Sequence, residues 1–172
     1  LVKVNRLITH IFRLNDRAYR IWIKFKSLFS RLDPLIHFYL FQLPPTFTSK
    51  FKDRLDGFIK RCKLGSRFAL ELRNETWFTE ETVEWAKEVG ITLVSVDAPE
   101  FPMKFFLTSD AIYLRMHGRT AWYAHDYSRK ELEEVANRIW EIRPKRVYVM
   151  FNNDHAMLTN AREMLKLLET KR

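Results

Sequence analysis

The stretch AIYLRMHGRTAWYAHDYS, residues 111–128, contains the change from a buried strand to the start of a helix. Residues 111–116 are a short apolar run of the kind that forms a strand buried on both faces. Ser128 and Glu131 have the S-x-x-E spacing of a capping box, so a helix is predicted to begin there and to run to Ile142. One strand, one loop and one helix start in this order are typical of an α/β protein with a parallel sheet.

The same alternation extends along the rest of the chain. The predicted strands are 1–4, 35–42, 67–72, 91–96, 111–116 and 146–151, and the predicted helices are 15–30, 49–62, 79–89, 128–142 and 156–169. Residues 98–110 contain Pro99 and Pro102 and are predicted to form a loop. The units have about the repeat length of a (β/α)8 TIM barrel but are two short of eight. Either the chain is a partial barrel without its first two βα units, which we favour, or it is a complete open sheet; we expect residues 1–172 to form a single domain.

The composition indicates a globular protein, because 47% of the residues are hydrophobic and 30% are charged. The apolar runs are too short to span a bilayer, and residues 1–10 lack the pattern of a signal peptide. Cys62 is the single cysteine, so an internal disulfide is excluded. We therefore expect no membrane partner and a reducing compartment, the cytoplasm.

The positive charge lies in the first third of the chain. Residues 1–63 contain 14 Lys or Arg and 4 Asp or Glu, whereas residues 64–172 contain 16 and 17. Such a field attracts polyanions, including nucleic acids. Solvated basic helix faces explain the same excess, and we favour that interpretation because net charge does not specify a function.

Polar and aromatic residues follow every predicted strand, at the end where ligands bind in parallel α/β proteins. At or beyond the end of each strand they are His10 for the first; Gln42 for the second; Glu71, Arg73, Asn74 and Trp77 for the third; Asp97 for the fourth; Arg115, His117, Arg119, Trp122 and Tyr123 for the fifth; and Asn152, Asn153 and Asp154 for the sixth. Each one alone has an ordinary structural explanation, such as an ion pair or a turn. Their repetition at one end of the sheet favours a ligand site.

An anion-binding pocket is the hypothesis that this group suggests. Arg115, His117 and Arg119 alternate, so on an extended strand their side chains share one face. With Arg73 they would surround Glu71 and bind phosphate or carboxylate. A further carboxylate, Asp97, would line the same pocket, and the aromatic residues Trp77, Trp122 and Tyr123 would stack against a base or a sugar.

Six segments in this order resemble the YecE-like family, domain of unknown function 72, over the whole chain. They are RLITH, FQLPPTF, ALELRNETWF, VSVDAPEFP, YLRMHGRTAWY with DYS, and VYVMFNNDH. The resemblance implies a TIM-barrel fold similar to that of endonuclease IV and the sugar isomerases. It also implies two further βα units upstream of the point where this chain begins. It implies no activity, since none is established for the family.

Three functional hypotheses remain open, and the residues do not decide whether the protein is an enzyme. The first is a hydrolase or lyase acting on a phosphate-containing or nucleic-acid substrate, with Glu71 or Asp97 as general base, His117 as acid or base, and Arg73, Arg115 and Arg119 holding the anion. The second is a non-catalytic barrel that binds a nucleotide, sugar phosphate or nucleic acid. The third is a partner-dependent protein that oligomerises through exposed strand edges.

A divalent metal is a weaker hypothesis. The candidate ligands are His10, Glu71, Asp97, His117 and Asp154, but they lie on separate strands and form no H-x-H or H-E-x-x-H pair. The arginines at the same strand ends also disfavour a cation. We therefore name no metal-binding residue.

Overall fold

A computed structural model describes residues 1–170 and has six strands and five α-helices over that range. The strands are β1 (Val2–Lys3), β2 (Tyr39–Gln42), β3 (Phe68–Glu71), β4 (Thr92–Asp97), β5 (Ala111–Met116) and β6 (Arg146–Phe151). The helices are α1 (Asp16–Ser27), α2 (Lys52–Cys62), α3 (Glu80–Val89), α4 (Arg129–Ile142) and α5 (Met157–Glu169). The strands pair in chain order and every pair is parallel, so the predicted α/β class is confirmed.

The chain divides into two compact units, Leu1–Leu93 and Val94–Arg172. In the first unit, aromatic side chains join the strands to the helices. The Trp22 ring of α1 lies 5.2 Å from Tyr39 and 5.1 Å from Phe41, and Phe41 stacks on Phe68 at 3.9 Å. Because side chains alternate along a strand, Gln42 and Glu71 lie on the opposite face of their strands.

The second unit has the same two-faced arrangement. Ile112, Leu114 and Met116 of β5 pack with buried residues of α4 and α5 in one hydrophobic core. Side chains at the alternate positions of β5, including Arg115, therefore lie on the face away from these helices. β6 is in register with β5, since Arg115 pairs with Met150.

The predicted helix starts agree with the capping geometry. Asn15 caps α1 and Thr79 caps α3 through their side-chain oxygens. Ser128 and Glu131 form the complete capping box of α4. The predicted loop at 98–110 contains no helix or strand of its own, apart from an isolated bridge between Ala98 and Phe101.

One expectation about the first strand is wrong. β1 ends at Lys3, so the strand does not lead to His10. Residues Leu7–Ile11, which contain His10, form a π-helical turn instead. The apolar residues of this segment follow a helical spacing. None of the helices described over residues 1–170 is long and apolar enough to cross a membrane.

Candidate functional site

A buried histidine surrounded by aromatic rings is the centre of the candidate site in the second unit. His117 directly follows β5 and is 1% exposed. Its ring centroid lies 5.6 Å from that of Trp122 and 5.6 Å from that of Tyr123. Tyr123 is 46% exposed, and Phe101 extends the cluster at 6.2 Å from Trp122. The cluster combines a titratable ring with partly exposed aromatic surface, the usual composition of a ligand site.

Two polar neighbours accompany His117. The Asn152 side-chain nitrogen lies 3.3 Å from His117 Nδ1. An amide nitrogen donates, so Nδ1 accepts and the neutral ring carries its proton on Nε2. Arg115 precedes His117 by two residues on β5 and is 9% exposed. The sequence predicts that Arg115 and His117 lie on one face of the strand. The residues that alternate with them, Leu114 and Met116, pack into the helix-side core, in agreement with this prediction.

Arg119 does not continue this alternation. β5 ends at Met116, and Gly118 has φ +117°, in the region that favours glycine. The chain turns there, and the Arg119 guanidinium contacts carboxylates instead of an open pocket. Its nitrogens lie 3.4 Å from Asp97, 3.5 Å from Glu131 and 3.5 Å from Glu134. The predicted shared face of Arg115, His117 and Arg119 is therefore wrong for Arg119, because the prediction did not anticipate the turn at Gly118.

Asp97 belongs to the network that holds this turn. It is 2% exposed at the end of β4, and burial raises the pKa of its carboxyl group while nearby Arg119 opposes that rise. The Tyr127 hydroxyl accepts the Gly118 N–H at 2.9 Å and hydrogen-bonds to the Asp97 side chain. In the register of β4 and β5, Asp97 lies opposite Met116, whose side chain is in the helix-side core. The carboxylate thus supports the loop that carries Trp122.

The start of α4 continues this network. His125 lies 3.1 Å from the Glu131 carboxylate and 2.8 Å from the Thr120 hydroxyl. Glu131 also accepts from Ser128 as part of the capping box. The loop between β5 and α4 is therefore tied to the helix that follows it.

Asn153 and Asp154 have different surroundings from their neighbour Asn152. Asn153 is buried, and its amide donates to Asn160 at 2.6 Å and to the His125 carbonyl at 2.8 Å. Asp154 is exposed and has φ +56°. Asn153 thus has a structural role within the unit, whereas Asp154 lies at the surface.

The first unit contains a second polar group. Glu71 is 0% exposed and forms a salt bridge with Arg73, which is 8% exposed. Gln42 pairs in register with Glu71 across β2 and β3. Since its charge is matched by Glu71, Arg73 is a weaker anion ligand than the sequence suggests.

Asn74 and Trp77 have structural partners in the same unit. The Asn74 side-chain oxygen accepts from the Thr76 N–H at 3.0 Å, and its nitrogen donates to the Pro45 carbonyl at 2.7 Å. Trp77 is 2% exposed and donates its indole N–H to the Phe47 carbonyl at 2.8 Å. A stacking wall needs an exposed ring face, so Trp77 is a packing residue.

His10 contacts the side chain of its neighbour. The Thr9 hydroxyl lies 2.8 Å from His10 Nδ1. Burial, together with the positive charges of Arg6 and Lys3, lowers the pKa of His10. At neutral pH this favours the uncharged ring.

Within residues 1–170, no group of three or more His, Cys, Asp and Glu side chains could hold a metal ion.

Sequence reasoning missed the role of Tyr127, which hydrogen-bonds to both Gly118 and Asp97. It also missed Asn160, which joins Asn153 to the Tyr127 backbone. The motif DYS places Tyr127 just before a helix cap, but no sequence signal links it to a strand end.

Comparison with known proteins agrees with this fold. The family model described as a protein of unknown function, DUF72, matches residues 1–172. A DUF72 family protein of Thermotoga maritima, whose crystal structure was solved at 2.20 Å resolution, is 28% identical with a TM-score of 0.76. The match covers 98% of this chain and 72% of that chain.

A DUF72 family protein of Enterococcus faecalis has a TM-score of 0.75 and is 22% identical. That match covers 98% of this chain and 74% of that chain, and at this identity it shows the fold alone. No functionally curated protein matches the sequence.

Proposed function

This chain belongs to the DUF72 family of proteins of unknown function, and we propose that it is a hydrolase or lyase acting on a phosphate-containing ligand. One observation carries the proposal. His117 is buried beside Trp122 and Tyr123, contacts Asn152, and lies two residues beyond Arg115 on β5. This group has a proton carrier, a cation and aromatic surface at the strand end where sites occur in parallel α/β proteins.

His117 is proposed to stabilise charge that develops on the ligand. Asn152 donates to Nδ1, so the neutral ring has its N–H at Nε2. From there it donates a hydrogen bond to a ligand oxygen and keeps its proton, since neutral imidazole is too weak an acid to give it up. In hydrolysis of a phosphate ester, the attacking water supplies the hydroxyl group to phosphorus and a proton to the departing oxygen.

Arg115 and the aromatic residues are the proposed binding groups. A guanidinium binds phosphate in a bidentate manner. Trp122 and the exposed Tyr123 offer ring faces to a base or a sugar. Arg119 is left out of the anion-binding group, because it lies within 3.5 Å of three carboxylates.

The second candidate is a protein that binds a nucleotide, sugar phosphate or nucleic acid without transforming it. The ion pairs formed by Asp97 and Glu71, the two predicted general bases, favour this alternative. Asp97 contacts Arg119, and Glu71 contacts Arg73, so both carboxylates already have cationic partners. Each carboxylate is thus held by a partner within its own unit, and neither contact requires a ligand.

A substrate screen with matched histidine variants tests the two candidates. The protein is incubated with phosphomonoesters, nucleotides, sugar phosphates and short DNA, and release of phosphate or of cleaved product is measured. We expect turnover in the parent and its loss in His117→Asn, with ligand-induced thermal stabilisation retained. His155→Asn is the control, since the His155 side chain is fully exposed at 100%.

Each outcome discriminates. Binding without turnover by the parent would favour the non-catalytic candidate. Equal turnover by His117→Asn and the parent would overturn the role of His117. No binding of any phosphate-containing compound would overturn both candidates.

Three further expectations remain part of the proposal. The six parallel strands would belong to a (β/α)8 barrel, because consecutive parallel strands with helices between them are the repeat of that fold. The partner would be a phosphorylated small molecule or a nucleic acid. The cytoplasm would be the compartment, since the single cysteine offers no internal disulfide.

A further inference from the structure

β6 has an open edge in the second unit. The strands pair in the order β1 to β6, so among the described residues β6 has β5 on one side and no strand on the other. All residues of β5 are buried, whereas those of β6 are half-buried or exposed. The edge of β6 is therefore accessible to another molecule.

The backbone groups of that edge identify the kind of partner that fits. Asn152 donates its N–H toward β5, to the Met116 carbonyl. Backbone groups alternate in direction along a strand, so the N–H and C=O groups of Val147, Val149 and Phe151 point to the free edge. Groups arranged in this way bind another β-strand.

The sequence of the edge fits a second copy of itself. Residues 147–151 read VYVMF, without the prolines or charges that usually protect an edge strand. A twofold axis at Val149 would pair this segment antiparallel with its copy. The opposed residues are then Val149 and Val149, Val147 and Phe151, and Tyr148 and Met150, so no like charges meet.

The charges at the two ends of β6 favour the antiparallel orientation. Arg143 and Lys145 precede the strand, and both are exposed. Asp154 follows its other end and is exposed too. A twofold axis at Val149 brings the basic end of each copy beside the acidic end of the other, whereas a parallel pair would oppose like charges.

Helix α5 adds an apolar surface beside the same edge. Leu158, Ala161, Leu165 and Leu168 recur at helical spacing, and Leu158 and Leu165 are 59% and 57% exposed. Leu165 and Leu168 line one groove with Val147, at the start of β6. A second copy supplies both a strand for the edge and an identical helix stripe, so one partner covers both features.

We propose that β6 pairs antiparallel with β6 of a second copy of this chain, and that the α5 stripes of the two copies meet in the same interface. This association is independent of the proposed function at His117. A further strand of the proposed barrel would compete for the same edge, so the experiments use the 172-residue chain by itself.

Sedimentation of this chain over a range of concentrations tests the association, and we expect a monomer–dimer equilibrium. Leu158→Glu combined with Leu165→Glu should raise the dissociation constant of the dimer at least about tenfold, because carboxylates would enter an apolar contact. Leu28→Glu is the matched control, since Leu28 is 79% exposed and belongs to the first unit. It should dimerise as the parent does, and melting temperatures verify that each variant is folded.

Cysteine cross-linking tests the orientation of the strands. Val149→Cys places a thiol opposite its own copy, so mild oxidation should give a disulfide-linked dimer. Lys145→Cys should stay unlinked, since antiparallel pairing separates the two copies of this residue by about eight residues, or roughly 26 Å. The parent is the blank, because its single cysteine, Cys62, is buried.

Three results would overturn the proposal. The first is a monomer at every concentration. The second is a dimer whose dissociation constant is unchanged in the folded Leu158→Glu and Leu165→Glu double variant. The third is cross-linking of Lys145→Cys in place of Val149→Cys.

Discussion

Replacement of Gly118 by alanine should destabilise the fold through the turn after β5. Gly118 has φ +117°, a conformation that costs an L-residue about 1–3 kcal/mol. A Cβ atom built there would lie 2.2 Å from the Ala121 carbonyl oxygen and 3.1 Å from the His125 Cβ. The first contact is with backbone, so the loop itself must move. We expect a loss of roughly 2–4 kcal/mol in the free energy of unfolding, from strain and overlap together.

Urea unfolding and thermal melting measure this effect. For a protein of this size, a loss of about 2–4 kcal/mol lowers the melting temperature by roughly 4–16 °C. Gly57→Ala is the matched control, since Gly57 lies within α2 and a Cβ there meets no atom within 4 Å. It should stabilise the protein by about 0.5–1 kcal/mol. If Gly118→Ala is as stable as the parent, the described turn is wrong, and with it the explanation of why Arg119 leaves the strand face.

Three substitutions probe the polar contacts described above. Tyr127→Phe leaves the buried Gly118 N–H without its acceptor and should lower the free energy of unfolding by about 1–3 kcal/mol in urea. Asp97→Asn removes a buried charge, so its stability relative to the parent should be highest at neutral pH and decrease on acidification, as followed by urea midpoints at several pH values. Asp33→Asn breaks the pair with Arg67 at 2.9 Å and should cost about 1 kcal/mol at pH 7, measured in the same way.

The two pH dependences have opposite signs. Burial raises the pKa of Asp97 in the folded state, so protonation favours folding, and stability is lost as the pH rises through the folded pKa. Hydrogen bonds from Arg67 and Tyr39 lower the pKa of Asp33 to about 2, so its stabilisation is complete above the unfolded value and is lost as the pH falls toward 2. A parent-minus-variant difference that does not vary with pH would contradict either assignment. For Tyr127→Phe, the contradicting result is stability equal to that of the parent.

Much of the fold could be predicted from local patterns. β5 and β6 have the predicted bounds, and α4 begins at the predicted capping box. These elements follow from apolar runs and from side chains within four residues of each other. The surroundings of His10 were not predicted, because the π-helical turn Leu7–Ile11 follows the first strand and no local pattern indicates it.

The site was less predictable because it depends on contacts distant in sequence. Position along the chain placed His117 at a strand end, and the structure adds that Trp122 and Tyr123 surround it. The pairing of Arg119 with Asp97 spans 22 residues and depends on a turn whose direction no local pattern records. Successive side chains point to opposite faces only where the chain is extended, so this rule does not apply beyond the end of the strand.

The most direct test of the proposed phosphate site is ligand-induced thermal stabilisation with a nucleotide and its nucleoside as a matched pair. At a ligand concentration about 100 times the dissociation constant, binding adds roughly 2.7 kcal/mol, or about 5–11 °C in melting temperature. We predict this shift for the nucleotide or another phosphorylated compound, its loss in Arg115→Gln, and its retention in Arg20→Gln, which alters an exposed arginine of α1. No shift with any phosphorylated compound, or a shift that Arg115→Gln leaves unchanged, would contradict the account.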